Sequence, residues 1–214
     1  MLNYYCYPIL LTICILLSCY EIKAVQDTLS YKLKLIGNIS LCALLLRYIC
    51  LVLLLISKNV IFLYYVKPFV FLEALALTVL TLLSCYIVVR NNYFKLYFIF
   101  IFFSLALAAF IIFIKKTTME LILTSNYGYA FKILNNINTI FIAIIIFNLL
   151  IFLIFILSRK NNKNILGSIL IILSVVTLDI EFTMKLLNMD LFQEIVLWDF
   201  SVLLSYFYIL EKRK

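Results

Sequence analysis

The sequence contains no histidine, only three glycines and two prolines, and few charged residues for its length. Without histidine, mixed cysteine and histidine zinc sites are excluded, and so is the commonest general base of enzymes. The HExxH and GxSxG motifs are also absent, as is the Gly-Asp pair of intramembrane aspartyl proteases. We therefore expect neither enzymatic activity nor a cofactor.

Hydrophobic residues are instead abundant, at 67% of the 214 positions, while charged residues make up 13%. Ordinary globular domains have roughly 45–50% apolar and about 25% charged residues. Apolar runs of roughly 20 residues recur along the chain, which is the length of a membrane-spanning helix. The composition predicts a single integral membrane domain over 1–214, with the lipid bilayer as its main partner.

The basic residues give a net charge of +8, and they lie in short groups between the apolar runs. A basic face suited to nucleic acid is not formed, so no nucleic-acid partner is expected. The six cysteines all fall at or before position 85 and form no CxxC pair. They are expected to pack as small apolar side chains.

The clearest crossing lies within the stretch 59–92. Tyr64 and Tyr65 are placed as interfacial aromatic residues, and Pro68 stands where the first turn of a helix tolerates proline. The 21 residues 69–89 then cover about 30 Å, the thickness of the hydrocarbon layer. The preceding residues 60–66 are either an extension of this helix, bent at Pro68, or an interfacial turn, and we prefer the extension.

The same reasoning predicts an all-α bundle of seven transmembrane helices, at about 2–20, 35–57, 60–89, 97–114, 137–157, 165–182 and 191–210. The polar segment 21–34 is predicted to be a connection with a short interfacial helix. The segment 115–136 is predicted to be a surface loop that can cap the bundle. Because the glycines and prolines fall near helix ends or in loops, helices broken at mid-membrane are not expected.

The positive-inside rule predicts an N-terminus outside the cell and a cytoplasmic C-terminus. On this topology, eleven of the 18 basic residues lie in inner segments, six lie in outer segments and Arg47 lies within the membrane. The expected location is the cell membrane, as a multi-pass protein.

Four ionisable residues within the predicted helices form a candidate intramembrane charge cluster: Arg47, Glu73, Asp179 and Asp199. Helical rise places Arg47 about 15 Å, Glu73 about 8 Å and Asp199 about 12 Å below the outer edge, and Asp179 near it. Glu181 lies two positions after Asp179 and should point to another side of its helix, so the two are not a carboxylate dyad. The cluster either makes insertion tolerable and fixes helix register, or lines an outward-facing cavity that binds a ligand or senses protons.

Two stretches carry a resemblance to a known family: LYYVKPFVFLEALALTVLTLLSCYIVVR at 63–90 and LWDFSVLLSYFYILEKRK at 197–214. With the seven crossings and the predicted topology, they resemble the N-terminal seven-helix sensor region of bacterial membrane histidine kinases. The resemblance implies reception of a signal in the outer half and its passage through the last helix to a cytoplasmic output module. After Lys214 the sequence has no dimerisation helix, phosphoacceptor histidine or ATP-binding domain. We therefore expect either that a separate partner provides that output or that the protein is a stand-alone relative with another task.

The sequence therefore favours a receptor-like sensor or accessory subunit that recognises a ligand or partner through its outer half. A cytoplasmic signalling partner and a homo-oligomer are both compatible with this function. A small transporter or channel subunit is the alternative.

Overall fold

A computed structural model describes residues 2–57, 59–89, 96–124, 128–133, 138–158, 165–186 and 196–213. The helices are α1 Leu2–Thr28, α2 Tyr31–Ile56, α3 Val60–Val70, α4 Glu73–Val89, α5 Leu96–Lys116, α6 Asn138–Ser158, α7 Ile165–Leu186 and α8 Leu197–Glu211. Two strands, β1 Met119–Thr124 and β2 Gly128–Ile133, form a hairpin between α5 and α6. The predicted helical fold is confirmed, and the hairpin is an addition to it.

The eight helices form seven rods, because α3 and α4 continue each other as one apolar stretch, Val60–Val89. Within the described residues, five rods are long and apolar enough to cross a membrane, and Ile144–Leu153 of α6 is a shorter apolar helix. Length and composition thus indicate a multi-pass helical membrane protein. Most predicted helix ends agree with the structure to within a few residues, and the residues 191–195 of the predicted last helix lie outside the described part.

The first helix extends eight residues beyond its predicted end and replaces the polar connection predicted for 21–34. α1 ends at Thr28, α2 begins at Tyr31, and only Leu29 and Ser30 join them. The reason is a buried stripe that continues past the apolar run with alternating spacings of three and four residues, as expected for one face of a helix. Its members are Tyr7, Leu11, Cys14, Ser18, Glu21 and Val25.

The rod of α3 and α4 is broken at Phe71 and Leu72, within the predicted third crossing. The break lies three to four residues beyond Pro68, where the sequence predicted a bend, and near one end of the predicted crossing rather than at its middle. Residues 60–66 are helical, as the preferred extension predicted. Pro68 lies inside α3, where it removes one backbone donor and disfavours a continuous helix. The break follows within a turn of that proline.

The hairpin covers one end of the bundle, which we call the hairpin end. It is the end at which α2 and α5 finish. Phe131 of β2 packs against Tyr64 of α3 with ring centroids 6.4 Å apart, and Lys67 donates a hydrogen bond of 2.9 Å to the Thr117 carbonyl. The segment predicted as a loop therefore does cap the bundle, but as paired strands. Its strand signal was the mixture of β-branched and aromatic residues around a glycine.

α4 lies at the centre of the bundle. Most of its residues are buried, and it packs against α2, α5, α6, α7 and α8. α5 and α6 instead expose many large apolar side chains, including Leu105, Ile112, Ile146 and Leu153. Such side chains suit contact with lipid.

Candidate functional site

Arg47 is the centre of a buried ionic network that joins four helices. Its side chain is 2% exposed, on the face of α2 that also carries Leu44, Tyr48 and Leu51. The guanidinium pairs with the carboxylates of Glu73 on α4 and Asp199 on α8. Its Nε also donates a hydrogen bond of 3.1 Å to the Val70 carbonyl, at the end of α3. A single arginine thus connects α2, both halves of the broken rod and the last helix.

The helix break explains part of this geometry. A carbonyl near the end of a helix loses its intrahelical donor, and inside a membrane it needs another. The Val70 carbonyl obtains that donor from Arg47. The break also makes Glu73 the first residue of α4, and Asp199 is the third residue of α8. Carboxylates at helix N-termini are stabilised by the helix dipole, so both acids occupy favourable positions.

The structure brings Arg47, Glu73 and Asp199 together, while the fourth predicted member, Asp179, lies elsewhere. Asp179 is half-buried and its carboxyl group faces Asn148 of α6. Glu181 occupies the position in the cluster that was predicted for Asp179. Its side chain is 1% exposed, and oxygens of Glu73, Glu181 and Asp199 all lie within 4.8 Å of one another. We call Arg47, Glu73, Glu181 and Asp199 the ionic cluster.

A sequence signal for Glu181 existed in the spacing of α7. The buried face of that helix contains Ile171, Ser174, Val175, Leu178, Glu181 and Phe182, again with steps of three and four residues. Asp179 lies off this face. Before position 179, however, the only polar residues of α7 are Ser168, Ser174 and Thr177, so the sequence alone gives only a weak signal of which face points inward.

Negative groups outnumber positive groups in the ionic cluster. Three carboxyl groups surround one guanidinium, and all four side chains are almost completely buried. Burying an uncompensated charge is expensive, so bound protons or a further positive group must offset the excess. The three carboxylate oxygens could reach a single cation, but Arg47 already supplies positive charge there. A bound cation or bound protons would offset the remaining negative charge.

Two more polar side chains adjoin the ionic cluster. The Tyr48 ring centroid lies 5.8 Å from the guanidinium carbon of Arg47, and the Tyr48 hydroxyl lies beside Asp199. The Cys14 thiol of α1 in turn lies beside Tyr48. Through these contacts the ionic cluster reaches the first helix as well.

An apolar cavity of about 380 Å³ opens between α4, α5 and α6, and Glu73 forms part of its wall. The other lining residues are almost all apolar, among them Phe71, Ala106, Phe113 and Phe147. The volume falls in the range of small-molecule sites, and a mainly apolar wall with one charged group is typical of them. Glu73 thus belongs both to the cavity and to the ionic cluster.

Comparison of this chain with protein-family models, with curated proteins and with solved structures found no match.

Proposed function

We propose that this protein is a receptor-like membrane protein whose cavity between α4, α5 and α6 recognises an apolar molecule with a basic amine. The observation that carries the proposal is the double position of Glu73, which lines the cavity and also pairs with Arg47. An amine that reaches Glu73 would supply positive charge to a cluster in which carboxyl groups are in excess. The apolar part of the ligand would lie against the aromatic and aliphatic wall.

Ligand binding at Glu73 would change the contacts of α8. If an amine draws the Glu73 carboxylate towards the cavity, Arg47 loses its ion pair with Glu73 and retains the one with Asp199. Asp199 lies in the first turn of α8, and α8 ends near the basic C-terminus, which is predicted to be cytoplasmic. The proposed signal thus passes from the cavity through Arg47 to the last helix. The resemblance to kinase sensor regions implies the same direction, with a separate cytoplasmic partner as the receiver.

The single tryptophan gives a direct test, because Trp198 precedes Asp199 in α8. Purified protein would be titrated with dodecylamine and with dodecanol while Trp198 fluorescence is recorded. We expect a saturable change with the amine and a weaker one with the alcohol, because only the amine can pair with a carboxylate.

Variants of α5 supply a matched comparison. Ala106→Phe places a large ring in the cavity wall, whereas Ala108→Phe makes the same change at an exposed position that does not line the cavity. The response should be lost in Ala106→Phe and in Glu73→Gln, and kept in Ala108→Phe. Equal responses in all these variants would refute the proposed ligand site.

The helix break at Phe71 and Leu72 favours a second function, that of a small transporter. Carriers use discontinuous helices whose free ends hold substrate near the middle of the membrane. Flux of a solute into sealed vesicles that contain only this protein would favour transport. Co-purification of a cytoplasmic kinase or cyclase, without flux of such a solute, would favour the receptor.

A further inference from the structure

A second group of buried polar side chains lies between α1 and α8, away from the cavity. Ser18 and Glu21 on α1 and Tyr206 on α8 are each 0% exposed. The hydroxyl oxygens of Ser18 and Tyr206 and both carboxyl oxygens of Glu21 have no hydrogen-bond partner among the described residues. Buried polar groups are nearly always hydrogen-bonded, and ordered water is a usual partner when protein groups are not. Three such side chains in one place indicate a functional site.

Gly37 of α2 lets the Tyr206 hydroxyl reach this position. A Cβ atom at residue 37 would lie 3.0 Å from that hydroxyl oxygen and 3.4 Å from a methyl carbon of Val25. Any larger side chain would compete with the hydroxyl for the same space. Glycine at position 37 therefore leaves room for the Tyr206 hydroxyl between α1, α2 and α8.

Among the residues that the structure describes, the groups that face Glu21 do not include a cation that could neutralise it. Tyr206 faces it from α8 and Cys14 lies on the same face of α1, while Lys23 points outward and is exposed. Cys14 is close to Arg47, and seven residues separate Glu21 from Cys14, about 10 Å of helix. Because an isolated buried carboxylate is far more costly than the neutral acid, Glu21 holds a proton.

A line of proton-bearing side chains connects Glu21 with the ionic cluster. Ser18 lies one turn from both Glu21 and Cys14 on the buried face of α1. Cys14 lies beside Tyr48, and Tyr48 lies beside Asp199. The line therefore runs along the bundle axis from the carboxyl groups nearer the hairpin end towards the opposite end.

We propose that the protein conducts protons along this line, with Glu21 as the proton-binding site nearer the opposite end. In one transfer, a carboxyl group of the ionic cluster loses a proton and the Glu21 carboxylate gains one. Each hydroxyl or thiol between them accepts a proton and releases its own, so none changes its charge over the transfer. Before this step, Glu21 has released its previous proton through the adjacent Tyr206 hydroxyl towards the opposite end. The proposal does not depend on a ligand in the cavity.

Proton flux is the direct test. Sealed vesicles would contain the purified chain, a pH-sensitive dye and a high concentration of potassium. Dilution into potassium-free buffer with valinomycin then makes the interior negative, which draws protons inward. We expect faster internal acidification than in protein-free vesicles. Glu21→Gln should abolish the difference, because an amide cannot take up and release a proton, and Tyr206→Phe should reduce it. Glu120→Gln, at an exposed position of the hairpin, is the matched control and should conduct like the unchanged protein.

Infrared spectroscopy tests the proton on Glu21 separately from conduction. The unchanged protein and Glu120→Gln should show the carbonyl band of a buried protonated carboxylic acid that Glu21→Gln lacks. If Glu21→Gln fails to fold, Tyr206→Phe still decides, because it removes one oxygen and retains the ring. Flux equal to that of protein-free vesicles, or undiminished flux in Glu21→Gln or Tyr206→Phe, would overturn the proposal.

Discussion

Arg47 on the second helix and Asp199 on the last helix, 152 positions apart in the chain, form a buried ion pair. The pair joins the beginning of the fold to its end, and the Glu73 carboxylate and the Val70 carbonyl complete the surroundings of the guanidinium. Because the broken rod supplies these last two groups, the ion pair and the helix break support each other.

Arg47→Leu should destabilise the protein by about 3–5 kcal/mol, because it leaves buried carboxylates without their cation. This exceeds the roughly 0.6 kcal/mol of an average polar contact between membrane helices, in which no charge is left unpaired. The measurement is thermal unfolding in detergent, followed by Trp198 fluorescence. Lys23→Leu, an exposed position on α1, provides the control.

Adding Asp199→Leu to Arg47→Leu should recover part of that loss, since the pair interacts directly. An Arg47→Leu protein that unfolds at the same temperature as Lys23→Leu would show that the ion pair contributes nothing to stability.

The two acids of α7 should differ in their contribution to stability. Glu181→Ala removes a buried member of the ionic cluster and should cost about 1–3 kcal/mol through its lost attraction to Arg47 and the cavity that it leaves. Asp179→Ala removes a half-buried carboxyl outside the cluster, and we expect a change of about 0.5 kcal/mol. Chemical unfolding of both variants under the same conditions gives the comparison. A larger effect at Asp179 would contradict the placement of the cluster.

Gly128 should be the most sensitive position of the hairpin. Its φ of +77° is costly for other residues, and an added Cβ would lie 3.0 Å from the Leu54 carbonyl oxygen of α2. Gly128→Ala should therefore weaken the docking of the hairpin by about 1–2 kcal/mol. Trypsin cleavage within 115–133 should become faster, whereas Glu120→Ala on the exposed side of the same hairpin should leave its rate unchanged. Equal cleavage of the two variants would exclude docking at Leu54.

The positions of the two ends of the chain follow from the seven rods. If all seven rods cross the membrane, we expect the two ends of the chain to lie on opposite faces, with the N-terminus outside as the basic residues predict. An N-terminal tag should react with an impermeant reagent on intact cells, and a C-terminal tag should react only after the cells are opened. Two tags on the same side would contradict an odd number of crossings.

Most of the helices and three members of the ionic cluster could be predicted from the sequence alone. Arg47, Glu73 and Asp199 each interrupt an apolar run, and an ionisable residue in such a run needs a partner. Glu181 was not selected over Asp179 because inward and lipid-facing positions of a membrane helix are equally apolar. Glu21 was assigned to a polar connection because exposed charges follow it directly, although its spacing from Cys14 and Ser18 continues the buried face.

Pro68 indicates a bend from the sequence alone, but the contacts that fix the helix break and the hairpin come from distant parts of the chain. The turn at Phe71 and Leu72 depends on Arg47, which supplies a donor to the Val70 carbonyl from another helix. The hairpin rests on Leu54 and Tyr64, which belong to the earlier helices α2 and α3. Local pattern alone shows neither contact.

The sequence separation of Arg47 and Asp199 has a consequence for biosynthesis. At about 5–20 residues per second, the ribosome adds Asp199 roughly 8–30 s after Arg47. Glu73 emerges much sooner, so the arginine first enters the bilayer with that acid as its early partner. Nascent chains arrested before α8 lack Asp199, so Arg47 has only one of its two acidic partners. We expect α2 of these arrested chains to crosslink to the insertion machinery, and α2 of full-length chains not to do so. Release of the arrested chains into lipid would show that Glu73 alone is enough.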